Sequence, residues 1–118
     1  MRTVSEHDIQ VMLVKWFDLA YKPYRGRLFA IPNGGQRNII VATKLKAEGV
    51  RKGVPDLMLP VPAGGFSGLF IELKAAKRPA TTEQNDWIEY LNAVGYCAII
   101  CHGFDAAKAA IDTYFSEC

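Results

Sequence analysis

Hydrophobic positions recur at helical spacing in four segments of this chain and at strand spacing between them. Over residues 3–20, Ile9, Leu13, Trp16, Phe17 and Ala20 fall at i, i+4, i+7, i+8 and i+11, one stripe of an amphipathic helix. Pro23 ends that helix, and Gly26 leads into a short strand over 27–31. A second helix is predicted over 38–48, closed by Gly49 as the residue after the helix end. Leu57-Met58-Leu59 is apolar at every position and reads as a strand buried on both faces. Over 68–74, alternation puts Leu69, Ile71 and Leu73 on one side and Phe70, Glu72 and Lys74 on the other. A third main helix over 81–94 turns Trp87, Ile88 and Leu91 inward, a strand follows over 96–101, and a helix over 104–115 shows Ala107, Ile111, Tyr114 and Phe115 on one side. The order α-β-α-β-β-α-β-α predicts an α/β fold in which helices flank a mixed sheet of about four strands.

The two central strands carry an acidic coincidence. Residues equidistant from Gly64, which stands in a Gly64-Gly65 pair suited to a turn, pair with one another in an unbulged hairpin. Asp56 then lies opposite Glu72, with side chains roughly 5 Å apart. Like charges so placed destabilise a sheet, and a divalent cation between them would give the arrangement a reason. Lys74 emerges on the same face as Glu72, about 7 Å further along the strand. A Glu-x-Lys at a strand end also makes an ordinary salt bridge, so the spacing alone leaves both readings open.

Composition narrows the class. The 118 residues are 50% hydrophobic and 22% charged, which suits one domain with one core and excludes a disordered chain. No cationic start precedes a smooth apolar stretch, so no secretory signal is expected. Prolines and glycines break the most apolar region, and no run reaches the roughly 20 residues of a membrane span. Cys97, Cys101 and Cys118 form an odd set without a CxxC pair, read as free thiols in a reducing compartment. A zinc site from Cys97, Cys101 and His102 is disfavoured, because in a strand His102 points away from the two thiols.

Charge changes the picture more. Residues 22–52 hold eight Lys and Arg against Glu48 alone, a balance of +7, whereas residues 79–118 hold Lys108 against six acids, a balance of −5. A basic segment of this density suits a polyanion, nucleic acid being the commonest. Within it, Asn33-Gly34-Gly35 and Arg37 precede the second helix, where free backbone N–H groups can hold a phosphate. Neither a P-loop nor a dinucleotide fingerprint is present, so no nucleotide cofactor is expected. Two further polar residues fall on inward faces. Glu6 fits either a Thr3-x-x-Glu6 capping box or a third carboxylate aimed at the acidic pair. Gln84 fits a Thr81-x-x-Gln84 capping box and lies one turn before Ile88 on the buried stripe.

Taken together, Pro55-Asp56 and Glu72-Leu73-Lys74 resemble the signature of the PD-(D/E)XK nuclease superfamily and its restriction-endonuclease-like core. Glu6, the Asn33-Gly34-Gly35 turn, residues 45–50, Gly53-Val54-Pro55-Asp56-Leu57 and Gln84-x-x-Trp87 make the chain similar to the VRR-NUC (virus-type replication-repair nuclease) family, as one domain over residues 1–118. The resemblance implies a Mg²⁺- or Mn²⁺-dependent endodeoxyribonuclease, with Asp56, Glu72, Glu6 and the Leu73 carbonyl as metal ligands. It implies that Lys74 stabilises the attacking hydroxide and that Gln84 holds Lys74, the water or the DNA backbone. Asn33, Gly35, Arg37, Arg51 and Lys52 are then the DNA-contacting residues, positioning the backbone without reading sequence. Stand-alone members act on branched DNA, so the expected partner is a four-way junction cut by a homodimer, inside the cell on phage or bacterial DNA. A flap nuclease and a non-catalytic DNA-binding subunit are the alternatives.

Overall fold

The computed structural model describes residues 4–32 and 38–116. Helix α1 (Glu6–Ala20) begins later than the hydrophobic pattern predicts. Ser5 caps it, accepting from the Asp8 N–H at 3.1 Å, so Glu6 occupies the first helical position and its carboxylate is not a capping group there. Thr3, the other half of the predicted box, lies outside the described residues. Ile9, Leu13 and Phe17 are buried as expected, but the stripe stops short of Ala20, which is exposed.

A 3-10 turn (Lys22–Tyr24) leads to β1, which shrinks to Phe29–Ala30 between the breakers Gly26 and Pro32. Helix α2 (Ile39–Ala47) is capped by Asn38 and buries none of its residues. Strand β2 (Leu57–Leu59) pairs antiparallel with β1 and with β3 (Leu69–Lys74). Helix α3 (Thr82–Ala93) then crosses over to β4 (Cys97–His102), which runs parallel to β3, and α4 (Phe104–Ser116) ends the described chain. The sheet order is β1-β2-β3-β4, the mixed four-stranded sheet that the sequence predicts.

Helices cover both faces of this sheet. On one side, Ile9, Leu13 and Phe17 of α1 and Ala107, Ile111 and Tyr114 of α4 pack against inward residues of β2, β3 and β4. On the other, Leu91, Trp87 and Ile88 of α3 close over Phe70, Ala98 and Met58. Strand β3 is therefore buried along its whole length, and its alternation sorts Leu69, Ile71 and Leu73 from Phe70 as predicted. Each fully buried Leu or Ile contributes about 1.5–3 kcal/mol, which makes β3 the best-anchored strand on which to mount polar groups. Cys97 and Cys101 both face the α1–α4 core, and burial pushes the Cys101 thiol up to about 11. His102 turns elsewhere, its Nδ1 donating to the Ala76 carbonyl at 3.0 Å, as the exclusion of a zinc site requires. No helix among the described residues is long and apolar enough to cross a membrane.

The hairpin contains a slip that leaves the acidic end untouched. Strand pairs Leu57–Ile71, Met58–Phe70 and Leu59–Leu69 are symmetric about Gly64. At the turn, however, Ala63 and Phe66 pair across Gly64 and Gly65, whose φ values of 57° and 86° make a two-residue turn only glycine adopts readily. Three residues, Pro60-Val61-Pro62, thus oppose the two residues Ser67-Gly68. The extra residue is taken up at Pro60, where the Val61 N–H bonds the Leu59 carbonyl at 2.9 Å in a three-residue turn.

Candidate active site

Continuing the β2–β3 register by one pair brings Asp56, which immediately precedes β2, opposite Glu72. Asp56 is fixed from both sides. Its carbonyl accepts from Ile31 N–H at 2.8 Å, and its Oδ2 accepts from the Leu73 N–H at 2.7 Å. Pro55 before it is fully buried and donates nothing to the ladder, as a proline at a strand entry permits.

Glu72 is the unusual group. It is only 2% exposed, and its Oε1 is buried without a hydrogen-bond partner among the described residues. Burial, followed by the charge of Asp56 and a hydrogen bond to it, raises its pKa from 4.5 to about 8. Lys74 opposes that rise and Glu6 adds to it. Burial and the neighbouring Asp56 carboxylate thus hold Glu72 in its protonated form at neutral pH. Lys74, 4% exposed, makes no salt bridge within 4.0 Å to any described acid. The Lys74 carbonyl accepts from Gly103 N–H at 3.0 Å, which pins the strand end.

Gln84 completes the predicted capping box and also reaches Glu72. Its Oε1 accepts from Thr81 N–H at 2.9 Å while its own N–H donates to the Thr81 hydroxyl at 3.1 Å, a complete capping box. The remaining amide group, Nε2, donates to Glu72 Oε2 at 3.0 Å. Of the partners expected for Gln84 (Lys74, a water or the DNA backbone), the structure shows none among the described residues; its side chain meets Glu72 instead. The capping box fixes the amide orientation, so the end of α3 nearest the sheet can deliver only a donor.

Glu6 reaches the end of β3 but not the acidic pair itself. Its Oε2 accepts from Ala75 N–H at 3.2 Å and from Arg78 Nη1 at 3.3 Å. Among the described residues no three His, Cys, Asp or Glu side chains converge closely enough to hold a cation together. Arg78, four residues past Lys74, carries no motif that would have marked it as the partner of Glu6.

The basic approach to Asp56 is anchored to α3. Gly53 is buried with φ of 90°, and a Cβ there would lie 2.7 Å from the Glu83 backbone. Lys52 pairs with Glu83 at 3.7 Å, whereas Arg51 is exposed. Asn33, Gly35 and Arg37 lie outside the described residues.

An α/β sandwich whose central hairpin presents a buried Glu beside a half-buried Asp, with a lysine two residues past the Glu, has the layout of a nuclease core. The VRR-NUC domain model matches residues 4–105, and the chain belongs to that family of nuclease domains. A solved structure described as a VRR_NUC domain protein superposes with a TM-score of 0.85 and 29% identity, covering 99% of this chain and 93% of that one. Among curated proteins nothing matches.

Proposed function

We propose that the protein is a Mg²⁺- or Mn²⁺-dependent, structure-selective DNA endonuclease that resolves four-way junctions as a homodimer. The observation that carries this reading is the buried Glu72, with an unpartnered Oε1 and a raised pKa beside Asp56. A buried acid with an unsatisfied oxygen is costly in a protein that only binds, because burying a polar group is compensated only by a partner. A hard divalent ion fits it, and Asp56, Glu72 and the Leu73 carbonyl would hold that ion with oxygen ligands. Glu6, engaged by Ala75 and Arg78, would act through a water or after leaving those partners. When bound, such an ion polarises the scissile phosphate and lowers the pKa of a water.

The chain's own residues supply the rest. Lys74 places positive charge beside the acidic pair and stabilises the attacking hydroxide and the developing phosphorane. Gln84 steadies Glu72 by donating to its Oε2, which leaves Oε1 for the ion. Arg51 and Lys52 contact phosphates and set the duplex in register, and Asn33, Gly35 and Arg37 are further candidates for backbone contacts. Cutting a junction symmetrically takes two active sites, hence the two-fold dimer; the substrate would be intracellular phage or bacterial DNA.

The test is cleavage of four-way junction, flap and duplex DNA with Mg²⁺, with Mn²⁺ and with chelator, alongside sedimentation of the free protein. Paired symmetric nicks on the junction, abolished by chelator, and a dimer at micromolar concentration are expected. A stable monomer that prefers flaps would replace the resolvase reading with flap cleavage, and no cleavage under either metal would overturn the nuclease reading.

A further inference from the structure

Helix α2 begins in an apolar tip that stands exposed among the described residues. Ile39 is 81% exposed, Ile40 68% and Val41 37%, and the helix buries none of its nine residues. A helix this short is marginal on its own, so most of its stability ordinarily comes from a packed face. These apolar residues stand at three successive positions and circle the first turn instead of lining one side. One turn later come Thr43, Lys44 and Leu45, of which the first two are exposed, so no outward stripe continues for a helix–helix seam.

We propose that this tip is a wedge for unstacked bases at a DNA branch point, a surface that deepens the nuclease reading and rests on it. Charge selects the partner. Lys44 and Lys46 stand in the last turn behind the tip, Arg51 and Lys52 follow, and residues 22–52 carry a balance of +7. An isologous contact with a second copy would set this cationic segment against itself. Three side chains also fall far short of the roughly 800 Å² per partner of a stable protein interface. Nucleic acid meets both constraints. Its phosphates match the cationic shank, and apolar side chains insert where base steps open. Intact duplex hides its base faces by stacking, whereas a branch exposes them, so the tip favours branched over plain DNA.

The test is equilibrium binding of the full chain to junction and duplex DNA in chelator, with 2-aminopurine at the branch, for wild type, I39S/I40S and I39L/I40L. Expected is a rise in 2-aminopurine fluorescence with wild type and a junction preference that falls about tenfold or more in I39S/I40S, the scale set by burying two isoleucines. I39L/I40L keeps the preference. Unchanged preference in I39S/I40S, or a wild type with no junction preference, overturns the wedge. A wild-type dimer that becomes a monomer in I39S/I40S also overturns it, assigning the tip to a second copy. Selective binding without cleavage under Mg²⁺ or Mn²⁺ would instead sink the nuclease reading and leave the wedge standing.

Discussion

Glu72 sets the behaviour of the site at the scale of single residues. Its pKa is raised to about 8 in the fold, against 4.5 in an unconstrained chain, so the native state holds a proton that the unfolded state has released. Stability from this group is present in full below pH 4.5 and is lost as pH rises through about 8. With chelator present, thermal unfolding midpoints should fall across that window, at up to about 1.4 kcal/mol per pH unit. Glu72→Gln should flatten the profile; a wild-type profile already flat would contradict the raised pKa. Gln84→Ala removes the donor to Glu72 and half of the capping box, at a cost of about 1–3 kcal/mol in chemical denaturation. It also raises the Glu72 pKa further, because the lost hydrogen bond favoured the charged form. A variant as stable as wild type would show that Gln84 makes neither contact in solution.

At the scale of elements, the hairpin was the most legible part of the chain. The distance from Pro55-Asp56 to Glu72-Leu73-Lys74, centred on a glycine pair, predicts the register that β2 and β3 adopt. It survives the extra residue because the slip sits beyond Leu59 and Leu69, on the turn side of the strands. Alternation in β3 was equally plain, since a fixed period of two follows from strand geometry alone. What escaped the sequence were contacts between segments far apart in the chain. Glu6 and Arg78 are joined only once α1 crosses the end of β3, and Gly53 meets Glu83 only once α3 docks. Helix α2 reads like its neighbours in propensity, yet it buries none of its residues fully among the described residues, and periodicity carries no record of that. Gly53→Ala tests the least legible of these contacts. Its Cβ would strike the Glu83 backbone in addition to the strain of a positive φ, whereas Gly65→Ala meets strain with nothing within 4 Å. Gly53→Ala should lower the urea midpoint more than Gly65→Ala, by roughly 1–3 kcal/mol, and reduce cleavage by shifting Gln84. Equal effects of the two substitutions would mean that the loop yields freely and does not position α3.

Across the whole molecule, the chain divides its charge, basic in residues 22–52 and acidic in residues 79–118. Cations that only bind phosphates add salt-dependent affinity without choosing a structure. Arg51→Ala should therefore weaken junction and duplex binding alike and reduce the slope of log K against log salt by about 1. A loss confined to junctions would show that Arg51 reads the branch.

The central claim is that Asp56, Glu72 and Lys74 form one hydrolytic site. It is tested most directly by single-turnover cleavage of junction DNA with Mn²⁺, comparing wild type with Asp56→Asn and Lys74→Ala. Both variants should bind the junction in chelator about as tightly as wild type yet cleave at least roughly 100-fold more slowly, the scale of losing one preorganised electrostatic contact to the transition state. Cleavage at wild-type rates by both would contradict the account.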